Sequence, residues 1–214
     1  MSTHSYTAIE SRLSAARMTP YLSAVGRDRD GALDLYLWNL KISGAFYVDL
    51  STTEVVLRNA IDGALQSRFG RGRSWFDNVR LNQSGTDHLN AATTRVRVAG
   101  HGTHDDVVAQ LSFGFWRSLL TRYYRATLWP AIRPVFLADP SRQSPRPEGI
   151  FQMVDQLGYL RNRIAHHETI FRRDLKRQHQ VLLDLTGSIS LDARRWIEDG
   201  SEVTNILANK PAIH

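Results

Sequence analysis

Arg161, Asn162 and His166 stand close together in the stretch LGYLRNRIAHHE, residues 157–168. A neutral imidazole can take the proton of a ribose 2′-hydroxyl near neutral pH, or return one to a leaving 5′-oxygen. A guanidinium can stabilise the charge that develops on a pentavalent phosphate. An asparagine can orient the imidazole or hold a phosphate oxygen. Together these groups can cleave RNA without a metal, leaving a 2′,3′-cyclic phosphate or a related end. The same pattern also suits a solvated helix face or a helix–helix interface that does no chemistry.

On a helix, Ile150, Val154, Leu157 and Ile164 share one face, with Met153 and Leu160 at its edge. Gly158, Asn162 and His166 recur at every fourth position on another, beside Arg161, Ala165 and Thr169. Asn162 and His166 point about 160° away from Ile164. A mid-helix glycine costs roughly 1 kcal/mol relative to alanine, so Gly158, with Ala165, suggests close approach of something to the backbone. Arg161 and His166 lie about 140° apart on a regular helix. Either the long arginine swings round to meet the histidine, or the two flank a ligand held over Asn162.

Other clusters compete. A second LRN occurs at 57–59, without a histidine. There Glu54 and Arg58 are four apart and suit a helical ion pair; alternatively Glu54, Arg58 and Asn59 pack beside Arg161 and His166 and orient them. His167 lies about 100° beyond His166, toward Leu160 and Ile164, and is expected to pack behind the site; it is also the alternative base. Arg172, Arg173, Lys176 and Arg177 form either a solvated face or a patch for the RNA backbone. His101, His104, Asp105 and Asp106 in HGTHDD are metal-ligand types, but the loop setting suits acids at a helix N-terminus. His166, His167 and Glu168 diverge around a helix. No metal site is expected. Trp75, Phe76, Phe115 and Trp116 are expected in the core.

The elements that must position these residues all read as helical. Thr19-Pro20 suggests a cap followed by proline at the first helical position. Residues 32–69 support two helices that join near Asp49–Thr53, with Ser51 or Thr52 as cap. GRGRSWFDN (70–78) is a connection, and a basic helix covers 87–98. Thr103 caps a helix whose first turn holds acids. A helix follows over 107–124, then a short proline-interrupted one over 128–137. ADPSRQSPRP (138–147) is a loop. The helix of the opening stretch runs from Glu148 to about Thr169. Helices over 172–185, 190–196 and 201–208 finish the chain, with a break at TGSIS. No alternating strand is evident, so the expected fold is all-α, an irregular helical bundle in one domain over residues 1–214.

Composition bounds the function classes. The chain has 214 residues, enough to bury a core, with 42% apolar and 22% charged residues. It has no cysteine, which excludes disulfides, thiol catalysis and thiolate metal sites. The N-terminal segment lacks the apolar run of a signal peptide, and no apolar run approaches the roughly 18 residues of a spanning helix. A cytoplasmic protein without a membrane partner is expected. The net charge is +6 and the pI about 10. Only Lys41, Lys176 and Lys210 are lysines; the other basic residues are arginines. Arginine forks pair with phosphate at two points, so an anionic partner such as RNA fits. A GC-rich genome gives the same bias.

LRNRIAHHE resembles the R-x4-6-H motif of the HEPN superfamily, with Arg161 and His166 as its ends and Asn162 as the polar residue often found after the arginine. The wider chain resembles the Abi-like (abortive infection) family of bacterial proteins. ALDLYLWNLKISGAFYVDLSTTEVVLRNAIDGAL (32–65) looks like that family's N-terminal helices, and SFGFWRSLL (112–120) like its central segment; the likeness covers roughly residues 29–80 and 111–172. The resemblance implies a HEPN-type helical bundle, a role in phage defence or toxin–antitoxin biology, and metal-independent endoribonuclease activity without a cofactor. It also implies a homodimer in which two motifs meet, with an antitoxin or a phage trigger protein as further partner. A non-catalytic RNA-, nucleotide- or protein-binding module is the alternative. Glu168 stands where some HEPN toxins carry tyrosine.

Overall fold

Serine side chains set the first two helices in the computed structural model, which describes residues 5–100, 102–138 and 146–213. Ser5 Oγ accepts from Ala8 N–H to start α1 (Tyr6–Leu13), and Ser14 Oγ accepts from Arg17 N–H to start α2 (Ala15–Ala24). The expected cap at Thr19 does not form. Thr19 lies inside α2, where its hydroxyl donates to the Ala15 carbonyl at 2.8 Å, and Pro20 is an interior residue. Tyr21 is fully buried between α2 and the core. That burial, reinforced by Tyr36 and opposed by Arg17, pushes its phenol up to about 12.

Asp28 caps α3 (Arg29–Phe69), a single helix of 41 residues, about 60 Å long. The two helices expected here are one. Ser51 and Thr52 do not cap; their hydroxyls donate back to the carbonyls of Tyr47 and Val48 at 2.7 and 3.2 Å, which leaves the backbone ladder intact. Leu35, Ile42, Phe46, Leu57, Ile61 and Leu65 are fully buried along one stripe of α3. Helices from both before and after it in the chain pack against it.

After a one-turn 3-10 segment (Trp75–Asp77), Asn82 caps α4 (Gln83–Val98), one turn earlier than the expected start. Thr103 and Asp106 form a reciprocal capping box at the start of α5 (His104–Gln110), as the sequence suggests. The long helix expected over 107–124 is broken. Leu111 and Ser112 are extended, and Ser112 caps α6 (Phe113–Ser118). Leu111, Phe113, Phe115 and Trp116 would wrap around a continuous helix; the break turns all four into the core. A second 3-10 turn (Arg122–Tyr124) leads to α7 (Trp129–Ile132), and a third (Arg133–Phe136) follows it. Most of the expected loop 138–147 lies outside the described residues.

Helix α8 (Pro147–Ala165) carries the opening stretch. Next comes α9 (Leu175–Ile189), which runs through the expected break because Thr186 and Ser188 donate to the carbonyls of Leu182 and Leu185. Then α10 (Leu191–Gly200) and α11 (Val203–Ala208) close the chain. The fold is all-α, with no strand among the described residues. The buried side chains form one contiguous cluster. No described helix is long and apolar enough to cross a membrane.

Candidate functional site

Helix α8 ends at Ala165, four residues before the expected boundary. His167 adopts a left-handed conformation, φ 55°. Its N–H donates to the Ile164 carbonyl at 3.0 Å, and the Glu168 N–H reaches back to the Arg163 carbonyl at 2.8 Å. This is a Schellman ending, with histidine where glycine is usual. His166 is the C-cap residue.

The chain beyond is held from several sides. Arg17 donates to the His167 carbonyl. Arg163 donates to the Thr169 carbonyl at 2.7 Å and pairs with Glu168 at 2.8 Å. The side-chain oxygen of the buried Asn39, Oδ1, accepts the N–H groups of Ile170 and Phe171 at 2.9 and 3.1 Å. Lys210 donates to the Phe171 carbonyl at 2.7 Å. The polar end of α8 is thus anchored to α2, α3 and the C-terminal segment.

The apolar face of α8 is as expected: Ile150, Val154, Leu157, Leu160 and Ile164 are buried. The opposite face meets α6. A Cβ added to Gly158 would lie 3.0 Å from the Phe113 ring, so the close approach that this glycine permits is made within the chain. The Arg117 side chain reaches Asp155 at 2.6 Å, tying α6 to α8. Between the two helices lies a groove of about 440 Å³, lined by Ser112, Phe113, Gly114, Arg117, Asp155, Gly158, Tyr159, Arg161 and Asn162.

Arg161 and Asn162 therefore face one groove. Arg161 is partly exposed, and its Nε lies 3.8 Å from Glu54 on α3. No Glu54–Arg58 ion pair forms among the described residues; Glu54 faces Arg161, and Arg58 donates to the side chain of Asn59 at 3.1 Å. His166 is exposed, makes no side-chain hydrogen bond with a described residue, and does not line the groove. His167 is exposed rather than packed toward Leu160, because the helix has already ended.

The basic residues after the motif divide. Arg172 and Arg173 line a second groove of about 440 Å³ with Arg163, Thr169, Asp174 and Gln178. Lys176 and Arg177 lie exposed in the first turn of α9, outside that groove. None of these four cations makes an ion pair with a described residue.

Sequence reasoning missed Arg117, Asp155 and Tyr159. A signal was present for each: a lone arginine in the apolar segment SFGFWRSLL, a lone acid in FQMVDQLG, and an aromatic three residues before Asn162 on its face. It also missed two histidine clusters. His104 Nδ1 lies 2.9 Å from Ser74 Oγ, and its Nε2 lies 3.0 Å from Asp62, which also accepts Trp75 Nε1 at 2.7 Å. Phe76 stacks on the imidazole. Buried Asp49 accepts from Ser201 Oγ at 2.6 Å and lies 3.3 Å from His179 Nε2.

Of the HGTHDD residues, His101 lies outside the described residues, His104 faces Asp62, and Asp106 belongs to the cap. No group of three or more His, Asp or Glu side chains forms a metal-binding set among the described residues. Trp75, Phe115 and Trp116 are fully buried, and Phe76 packs against the same core.

No family model matches this chain. Curated proteins and solved structures likewise yield no match. The class that stands is an all-α protein with a groove of mixed polar and apolar lining between α6 and α8.

Proposed function

We propose that the protein is a metal-independent endoribonuclease of HEPN type, acting in phage defence or a toxin–antitoxin system. The observation that carries this reading is the end of α8, where Arg161 and Asn162 face an open groove and the exposed imidazole of His166, which no described residue engages, follows at the C-cap. In the reaction, His166 takes the proton of a ribose 2′-hydroxyl. The 2′-oxygen bonds to phosphorus, the bond from phosphorus to the 5′-oxygen breaks, and an imidazolium returns the proton to that oxygen. The products are a 2′,3′-cyclic phosphate and a 5′-hydroxyl. Arg161 stabilises charge on the phosphoryl oxygens, and Asn162 positions the phosphate. Glu54 on α3 lies 3.8 Å from the Arg161 guanidinium, beyond hydrogen-bond distance. Arg172, Arg173, Lys176 and Arg177 attract the backbone. The protein works in the cytoplasm as a homodimer in which a second copy completes the site, and an antitoxin or phage trigger protein controls it.

A second reading is an RNA-, nucleotide- or protein-binding module without catalysis. It is favoured by the position of His166 outside the groove that holds Arg161. Incubating the purified protein with total bacterial RNA in EDTA separates the two. The nuclease reading expects discrete fragments with cyclic-phosphate ends that disappear in Arg161→Ala and in His166→Ala. RNA retention without fragments, in wild type and variants alike, favours the module.

A further inference from the structure

Tyr159 stands on the ridge between the two grooves. It lines the Arg161–Asn162 groove on one side. On the other, the Arg173 guanidinium sits 4.4 Å from its ring centroid, and Arg163 lies 5.8 Å from it. Arg163 Nη1 also donates to the phenol oxygen at 3.3 Å, which fixes the ring. Arg163 and Arg173 line the second groove. Yet the tyrosine is 52% exposed. Most large aromatics of this chain lie in the core; this one is held at the surface with cations around it.

We propose that Tyr159 is a stacking platform for one unpaired base of an RNA strand that crosses from the second groove into the first. This rests on the RNA reading above and adds to it a binding residue and a substrate form. Strand-binding surfaces combine a cationic track for the backbone with aromatic faces for the bases. Here Arg172 and Arg173 supply the track on one side of the ridge and Arg161 on the other. Arg117 contributes little, because Asp155 neutralises it. Arg173 has no carboxylate partner among the described residues, so it can leave the ring for a phosphate, or sandwich the base against it. A base paired in a duplex has its face covered by neighbours, so the platform selects single strands.

The test uses the full chain in EDTA, with a short single-stranded RNA that carries 2-aminopurine, and the same RNA annealed to its complement. Stacking on the tyrosine quenches 2-aminopurine in the single strand and not in the duplex. Tyr159→Ala is expected to weaken single-strand binding by about tenfold or more and to abolish the quench. Tyr159→Phe keeps both. Thermal melting of each variant confirms that the fold is retained. Unchanged affinity and quench in Tyr159→Ala overturns the proposal while the RNA reading stands. Equal weakening for single strand and duplex also overturns it, because a general electrostatic surface behaves that way. Failure of the wild type to bind either RNA overturns the RNA reading and this proposal together. Binding with tyrosine-dependent quench, but without cleavage in total RNA, supports the platform and removes only the nuclease.

Discussion

His166 and His179 are the same side chain in opposite settings. His179 is buried under α3, faces Asp49 at 3.3 Å and Ser201 at 3.2 Å, and has Phe46 edge-on against its ring. His104 is held similarly, between Ser74 and Asp62. His166 is exposed at a helix end, and its ring makes no hydrogen bond with a described residue. Burial away from water favours partners for polar atoms, and the buried His179 and half-buried His104 serve as ties between elements. His104 joins α5 to α3 and to the turn before Trp75; His179 joins α9 to α3 and to the segment before α11. The exposed rings of His166 and His167 are engaged by no described residue and tie no elements together. The lesson extends to arginine. Arg117 is neutralised by Asp155, whereas Arg161 has only a distant carboxylate at 3.8 Å and keeps its charge facing the groove.

The largest expected effect sharpens this contrast. Asp49→Ala strips a buried carboxylate from both His179 and Ser201 and is expected to destabilise the fold by about 3 kcal/mol. His166→Ala is expected to change stability by less than about 0.5 kcal/mol. Urea unfolding of both variants checks this, and comparable losses would break the comparison. Gly158→Val comes next. Its branched side chain would meet the Phe113 ring, where even a Cβ sits at 3.0 Å, and a loss of about 2 kcal/mol is expected. A shift of the dimer equilibrium at unchanged monomer stability would instead assign the glycine to contact between copies. A smaller effect runs the other way. His167→Gly relieves the left-handed backbone and should stabilise by about 1 kcal/mol, seen as a raised midpoint in the same titration. A loss there would mean that the imidazole of His167 has a stabilising role.

Much of this fold is legible from residue types. The buried face of α8 follows from its periodicity, and the capping box at Thr103 from a hydroxyl three residues before an acid. Boundaries that depend on alternative uses of a hydroxyl are not legible. Ser51 and Thr52 look like caps and Thr186 like part of a break, yet all three back-bond inside helices; Ser112 looks like an interior residue, yet caps. Each serine or threonine can satisfy either backbone state locally. Which one it takes depends on where the large side chains find a core.

The sequence by itself determined the helical class, the apolar stripe of α8, the cationic surplus and the adjacency of Arg161, Asn162 and His166. These follow from composition and from a periodicity that the helix imposes on neighbours in the chain. Only the tertiary structure decided that α8 stops at Ala165, that Glu54 turns to Arg161 rather than Arg58, that Phe113 occupies the gap at Gly158, and that Tyr159 is left at the surface between two grooves. Each is a contact between residues far apart in sequence, except the end of α8. That end breaks a local expectation, because a histidine adopts the conformation that glycine takes most readily, and distant Arg17 and Asn39 hold the chain on the path that follows.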